Sequence, residues 1–401
     1  MKMAESKTFR DPVFVLLAMA AFLVPLRPAI ANILMGCAAA ILLVKGELLH
    51  GFPGSFRNRN LRWMPLLYVM YIAGMFVTAN TAAGMKELVS KLPYVLFPVL
   101  FSSAPGRLRR ILPLVFSTGV FALCAGLLVA ACLRFGRSGD LHEFFYEKFS
   151  GFMHPAYLGM YANFALLALL NHFFGKERRA KGIAWMLAGY GLGILVIILA
   201  ASRMAMLAGI ATLTLFVILL YWKERALPVK WLVVLIAIPM VLNGAVYAIS
   251  RDANRFAEVK SYIRKAPEND EGSIPARITI WKSSLALVSS HLATGLGTGD
   301  VQQDLHDMYV KNNMNYALTR NLNAHNQFLQ VLLAIGIPGL VIFLLIFLAP
   351  GIASLRERNY FAICFLLVAA LNGLTESVLE REAGILWFAF FYSLLFSNSE
   401  Q

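Results

Sequence analysis

Residues 183–222, IAWMLAGYGLGILVIILAASRMAMLAGIATLTLFVILLYW, decide the fold of this chain, because they contain only one charged side chain, Arg203. A helix that crosses the hydrocarbon core of a membrane needs about 20 predominantly apolar residues. The stretch is long enough for two such helices, and the polar pair Ser202 and Arg203 marks the turn between them. The sequence therefore predicts an apolar helical hairpin that spans a membrane twice.

The composition extends this prediction to the whole chain. Of its 401 residues, 59% are hydrophobic and 14% are charged, whereas soluble domains are roughly 45–50% apolar and about 25% charged. A disordered chain is also excluded, because 29 Phe, 14 Tyr and 6 Trp require burial. We therefore predict an all-α integral membrane protein with about twelve transmembrane helices. The predicted spans are residues 12–26, 29–49, 63–80, 88–102, 109–133, 152–174, 183–201, 203–222, 231–250, 324–349, 359–376 and 383–397.

The charge balance predicts the orientation of these spans. The chain has 36 Lys and Arg against 22 Asp and Glu, a formal net charge of +14. In a soluble protein such an excess suggests nucleic acid as a partner, but cytoplasmic loops of membrane proteins also collect Lys and Arg. With a cytoplasmic N-terminus, the short inner loops contain 19 Lys and Arg and the short outer connections contain 8. We therefore predict that both termini are cytoplasmic and that no nucleic acid is bound.

One outer loop is much longer than the others, and it divides the chain into three regions. These are residues 1–250 with spans one to nine, the loop 251–323, and residues 324–401 with spans ten to twelve. Loops this long usually have a function. Residues 275–292 are predicted to form an amphipathic helix at the membrane interface, and glycine-rich residues 295–299 end it. These glycines do not follow a strand, so a nucleotide-binding loop is excluded. We expect the loop to act as a lid over a site.

Three residues near the outer face are candidates for chemistry. Arg203 lies at the outer end of the apolar hairpin, where a charge is costly and suggests a function. Arg277 lies on the predicted amphipathic helix, and an arginine fork suits phosphate oxygens. His325 opens the tenth span, and its side chain can exchange a proton near neutral pH.

Each candidate also has a structural explanation. Arg203 can anchor the hairpin to lipid head groups, Arg277 can be a solvated charge, and His325 can be an interfacial helix cap. Residues 376–382 contain three carboxylates around Arg381. They are either a carboxylate cluster close to the site or a polar turn between spans eleven and twelve.

The cysteines indicate neither a disulfide nor a metal site. All four lie in apolar runs, where they behave as small hydrophobic residues, and none has a CxxC partner or a histidine at ligand spacing. They are Cys37, Cys124, Cys132 and Cys364. We therefore expect no metal and no cofactor.

The segment after the long loop resembles a known family. His325-Asn326, followed by nine residues and then Gly336-Ile-Pro-Gly339, is similar to the His-Asn/Ser/Gln-x9-Gly-x-x-Gly/Thr/Tyr pattern of bacterial O-antigen ligases. Ser202-Arg203 resembles an arginine segment of that family. Arg277 with Trp281 and the glycines that follow resembles the family's large periplasmic loop. The superfamily also contains O-antigen polymerases and protein O-oligosaccharyltransferases.

The resemblance implies a glycosyltransferase of the bacterial inner membrane, with a GT-C-like architecture. Its donor is O-antigen linked to undecaprenyl pyrophosphate, and its acceptor is a sugar hydroxyl of lipid A–core at the periplasmic face. We predict that His325 is the catalytic base of an inverting, metal-independent displacement. We predict that the residues that bind the substrates are Arg203, Arg277, Asn326, Arg27 and Glu376.

Other functions remain open at this point. An O-antigen polymerase or a protein O-oligosaccharyltransferase would share the donor but use another acceptor. A twelve-span secondary transporter would also have buried charges, although such charges more often lie at the bilayer midplane. A lipid-binding or assembly protein would need the arginines but not His325.

Overall fold

The computed structural model describes residues 12–102, 106–174, 183–224, 233–235, 237–241 and 273–397. Within these ranges the regular structure is helical and no strand occurs. The helices are α1 (Pro12–Leu23), α2 (Pro28–Val44), α3 (Glu47–Arg57), α4 (Trp63–Gly74), α5 (Thr81–Lys91), α6 (Pro93–Phe101), α7 (Leu108–Ser138), α8 (Tyr146–Ser150), α9 (Pro155–Phe173), α10 (Ile183–Leu199), α11 (Arg203–Glu224), α12 (Ser273–Val288), α13 (Val301–Lys311), α14 (Asn315–Thr319), α15 (Gln327–Arg356), α16 (Tyr360–Gly373) and α17 (Glu382–Phe396). Short 3₁₀ helices cover Met75–Val77, Leu141–Phe144 and Val378–Glu380.

Three of the described helices are long and apolar enough to cross a membrane. They are α7, α11 over Arg203–Tyr221, and α15. Shorter apolar helices lie in most of the other predicted spans. The predicted span 88–102 is divided into α5 and α6 at Pro93, and the predicted span 231–250 lies largely outside the described residues. In the residues that the structure describes, the protein is therefore a bundle of helices with the apolar character of a membrane protein, and the number of twelve spans stays a prediction.

Helices α9 and α17 form the centre of the bundle. Both are apolar around nearly their whole circumference and are buried on nearly all sides, as expected of helices without a polar face. Phe164 of α9 stacks on Phe361 at 5.5 Å between ring centroids and lies 5.6 Å from Trp387. By contrast, outer helices expose large apolar side chains such as Ile33, Leu133 and Leu207. An apolar exterior around an apolar core is what a lipid environment requires.

The connecting turns meet at two opposite ends of this bundle. At one end, the amide of Asn58 donates to the carbonyl of Phe396 at 3.0 Å, and the Tyr392 hydroxyl donates to the carbonyl of Asn60 at 2.6 Å. At the other end, the amide of Asn32 donates to Glu382 at 3.0 Å. His325 lies at this second end, which we call the His325 end.

Helix α15 is broken at Ile335 and Gly336, and the glycine-rich turn 293–299 supplies backbone hydrogen bonds at the break. Gly336 has a φ of +65°, and Pro338 has no N–H to offer the carbonyl of Ala334. The amide of Leu296 donates to the carbonyl of Leu333 at 2.7 Å, and the amide of Gly297 donates to that of Ala334 at 3.2 Å. The backbone groups that the break leaves without helical partners are thereby satisfied.

A helix is observed near the position predicted for 275–292, as α12 over Ser273–Val288, whereas its amphipathic character and its place at the membrane interface stay predictions. Its buried side chains include Ala276, Ile280 and Val288, whereas Leu285 remains exposed. The Trp281 indole donates to the carbonyl of Ala324 at 3.1 Å. Helix α12 is therefore fastened to the residue that directly precedes His325.

Candidate active site

The backbone at His325 is held in an unusual conformation. Its φ is +46°, which places a non-glycine residue in the left-handed region at a cost of order 1–3 kcal/mol. The N–H of His325 donates to the Asn323 side chain at 3.0 Å, and the N–H of Ala324 donates to the Gln330 side chain at 3.2 Å. Asn326 caps helix α15 by accepting from the N–H of Leu329 at 3.0 Å. Local side chains thus fix the direction in which the imidazole leaves the backbone.

Glu376 brings His325 and Arg277 together. Its backbone extends the end of α16, where its N–H donates to the carbonyl of Asn372 at 3.0 Å. Glu376 Oε2 lies 3.0 Å from His325 Nδ1, and Glu376 Oε1 accepts a hydrogen bond from Arg277 Nη2. The exposed fractions of the three side chains are 13% for Glu376, 17% for His325 and 26% for Arg277. The site is partly shielded from water but open on one side.

The surroundings of Glu376 keep its carboxyl ionised. Burial raises its pKa, but the hydrogen bond from His325 and the charges of Arg277, His325 and His154 outweigh burial and lower the pKa to about 2. The ionised form therefore stabilises the folded chain above the usual value of 4.5, and this contribution is lost as the pH falls towards 2. A carboxylate beside Nδ1 favours the tautomer of a neutral histidine that carries its proton on Nδ1 and keeps Nε2 as the acceptor.

His154 lies within electrostatic reach of this pair. It is the N-cap of α9, where its Nδ1 accepts from the N–H of Ala156 at 3.3 Å. Burial lowers the pKa of His154, while the charge of Glu376 raises it and that of Arg381 lowers it further. The cap is a structural role for this residue. Its proximity to Glu376 had no signal in the sequence.

Arg203 is the first residue of α11 and lies at the His325 end. The next turn of α11 packs against α9, where Ala205 lies against Gly159. The side-chain amide of Asn163 donates to the carbonyl of Ala205 at 2.7 Å. Helix α9 also contacts the segment after Glu376, because the Tyr157 hydroxyl donates to the carbonyl of Val378 at 3.3 Å. The start of α11 and the segment after Glu376 therefore both pack against the first turns of α9.

Arg27 lies further out. It is exposed in the turn between α1 and α2, with its guanidinium 6.0 Å from the centre of the Phe152 ring. Arg277, Glu376 and His325 are the predicted site residues that the structure brings into contact with one another. The assignment of Arg27, Arg203 and Asn326 to substrate binding stays a prediction.

The structure decides between the two explanations of the carboxylates at 376–382. Only Glu376 contacts His325. Glu380 contacts Lys91 and Gln327, and Glu382 accepts from Asn32. The segment is therefore a turn in which one carboxylate belongs to the site. No group of three or more His, Cys, Asp or Glu side chains is placed to hold a metal ion within the part of the chain that the structure describes.

Comparison with protein families adds an independent observation. Residues 188–344 match the family model described as Wzy_C, O-Antigen ligase. This part of the chain is similar to the O-antigen ligase family. The match confirms the resemblance and includes Arg203, Arg277 and His325, whereas Glu376 lies outside it. No curated protein matches the chain. A match to the O-antigen ligase family in an apolar helical bundle supports a glycosyltransferase-type function at a membrane.

Proposed function

We propose that this protein transfers O-antigen glycan from undecaprenyl pyrophosphate to a sugar hydroxyl of lipid A–core, on the periplasmic face of the bacterial inner membrane. The observation that carries the proposal is the His325–Glu376–Arg277 arrangement within a chain of which residues 188–344 match the O-antigen ligase family. An oriented base beside a cation is what this transfer needs.

The proposed reaction is a direct displacement. The acceptor hydroxyl oxygen bonds to the anomeric carbon of the donor, and its proton goes to Nε2 of His325. The bond between the anomeric carbon and the pyrophosphate oxygen breaks, and undecaprenyl pyrophosphate leaves with the electron pair. Attack opposite the leaving group inverts the anomeric centre. Glu376 accepts from Nδ1 and stabilises the imidazolium that forms, as a carboxylate does in a catalytic triad.

The arginines have a separate role in this proposal. Negative charge develops on the pyrophosphate as the bond breaks, and fixed cationic donors stabilise it. Arg203 is expected to bind the pyrophosphate. The Arg277 guanidinium is expected to contact both Glu376 and the pyrophosphate of the donor. Glu376 thereby sets both the tautomer of the base and the position of one cation.

The distribution of charge supports a periplasmic site. The end of the bundle opposite His325 contains a concentration of arginines, as cytoplasmic ends do. They are Arg57, Arg59, Arg62, Arg107, Arg109, Arg110, Arg356 and Arg358. With that end in the cytoplasm, the His325 end faces the periplasm, where both glycolipids present their sugars.

The test is transfer from purified lipid-linked O-antigen to purified lipid A–core by the protein in lipid nanodiscs, with a metal chelator present. His325→Ala is expected to lose about 10²–10⁴-fold in the rate of transfer and to bind donor as the wild type does. His291→Ala is the control, because His291 is exposed in the same loop and contacts Ser290 rather than the site.

Three outcomes would contradict the proposal. Transfer by His325→Ala at the wild-type rate would exclude a catalytic base at this position. Loss of donor binding with normal turnover at saturating donor would make His325 a binding residue. Transfer only to a second lipid-linked glycan, or only to a protein, would assign the chain to the polymerase or oligosaccharyltransferase branch.

A further inference from the structure

A second buried polar network lies directly beside the candidate active site. Gln327 follows His325 by two residues, and Glu380 follows Glu376 by four. The Gln327 amide donates from Nε2 to Glu380 Oε1 at 2.9 Å. Its Oε1 accepts from the N–H of Leu379 at 2.7 Å. The first residue of α15 is thereby bound twice to the short helix that follows Glu376.

Lys91 supports this network from a third element. Its side chain is 1% exposed and lies at the end of α5. Its ammonium is 2.9 Å from Glu380 Oε2 and 2.7 Å from Glu87 Oε2, and it lies 4.9 Å from the centre of the Tyr71 ring. Two carboxylates and a ring face thus compensate the buried charge. A buried ion pair of this kind more often fixes a geometry than adds net stability.

The two networks share the same pair of chain segments. Residues 323–327 supply His325 and Gln327, and residues 376–380 supply Glu376 and Glu380. The hydrogen bond between His325 and Glu376 depends on the distance between these segments, and the bonds of Gln327 set that distance a few residues away. A shift of about 1 Å at a site can cost roughly 10²-fold in rate.

We propose that Gln327, Glu380 and Lys91 are positioning residues that hold the Glu376 turn against the start of α15. They fix the Glu376 carboxylate on the His325 ring without contacting a substrate. This inference rests on the proposed function for its effect on transfer, but the geometry that it describes is testable without any substrate.

The experiment uses Gln327→Leu, Lys91→Met and Lys91→Arg in lipid nanodiscs. Hydrogen exchange over 374–382 is measured without substrates, and the kcat and donor KM of transfer are measured separately. Gln327→Leu removes both bonds to the turn, and Lys91→Met leaves Glu87 and Glu380 without their shared cation. Both are expected to accelerate exchange at Leu379 and to lower kcat by about tenfold or more, with donor KM within about twofold. Lys91→Arg is expected to keep the exchange at Leu379 and the kcat close to the wild-type values, because it keeps the charge.

Glu382→Gln is the matched control, because Glu382 lies on the same segment but contacts Asn32 outside the network. If Lys91→Met does not fold, the double variant Lys91→Met/Glu380→Gln removes the opposite charges together and keeps an oxygen acceptor for Gln327. Unchanged exchange in Gln327→Leu would overturn the proposed contact, and faster exchange with normal kcat would overturn its role in positioning. If the wild type performs no transfer, the proposed function fails, while the exchange data still decide whether these residues hold the turn.

Discussion

At the scale of single residues, Glu376 connects parts of the site that are distant along the chain. It lies 51 residues from His325 and 99 from Arg277. A histidine at a helix start and an arginine on a helix beside it each have an ordinary structural explanation. Their convergence on one ionised carboxylate is a better argument for function, because such groups cluster at catalytic sites.

This convergence predicts the behaviour of Glu376→Gln. The amide cannot stabilise the imidazolium, so we expect kcat to fall by about 10–10²-fold. Because the pKa of Glu376 is about 2, its carboxyl stays ionised throughout pH 5–8, and the loss in Glu376→Gln is expected across this whole range.

The measurement is the pH dependence of kcat for the wild type and Glu376→Gln between pH 5 and 8. Glu382→Gln again serves as the control, with the wild-type profile expected. A kcat of Glu376→Gln equal to that of the wild type across this range would contradict a role for Glu376 in the reaction.

At the scale of elements, the break in α15 gives the pattern Gly336-Ile-Pro-Gly339 a structural meaning. Pro338 removes the donor for the Ala334 carbonyl, Gly336 adopts a positive φ, and the turn 293–299 supplies the missing bonds. A Cβ on Gly336 would lie 2.8 Å from the carbonyl oxygens of Leu292 and Ala293. The number of residues between His325 and Gly336 therefore fixes the distance along α15 between the histidine and the break at which the turn 293–299 binds.

Gly336→Ala is accordingly expected to destabilise the protein by roughly 1–3 kcal/mol or more, through strain and the clash with the turn. The matched control is Gly126→Ala in α7, where a Cβ meets no atom within 4 Å and the change is expected to be neutral or stabilising by up to about 1 kcal/mol. Thermal unfolding of both variants in nanodiscs measures the difference. Equal melting temperatures would show that the turn does not depend on Gly336.

The same elements show what the sequence predicts well and what it does not. Most helix boundaries follow from runs of apolar residues, and the break at Pro93 follows from proline's missing donor. The contact of Glu376 with His325 depends on packing between the ends of α15 and α16, for which no periodic pattern exists. Nothing in the sequence indicated a role for Gln327 or Lys91, because a buried polar residue cannot be distinguished from an interfacial one without its contacts.

The contacts of the glycine-rich turn bear on which part of the long loop is expected to act as a lid. Asp300 accepts from the N–H groups of Ala79 and Asn80, each at 2.7 Å, and the Thr298 hydroxyl donates to the carbonyl of Tyr71 at 2.6 Å. These bonds join the turn to the last turn of α4 and to the segment before α5. Residues 293–300 are therefore an anchor of the loop, and the prediction that the loop closes over a substrate applies to the parts before them.

At the scale of the whole molecule, the orientation in the membrane determines which substrates reach the site. The arginine-rich end and the His325 end are separated by the length of the bundle, so a reagent that cannot cross the membrane distinguishes them. We expect the arginine-rich end to be cytoplasmic. Two exposed positions suit the test, Asp307 on α13 at the His325 end and Glu357 in the turn between α15 and α16 at the opposite end.

Each position is changed to cysteine in a chain whose four native cysteines are replaced by alanine. A membrane-impermeant maleimide is then added to bacterial spheroplasts that express the protein. Asp307→Cys is expected to react in intact spheroplasts, whereas Glu357→Cys is expected to react only after lysis. The chain without cysteines controls for background labelling. Reaction of Glu357→Cys before lysis, with protection of Asp307→Cys, would place His325 in the cytoplasm. A glycan presented on the periplasmic face would then never reach it.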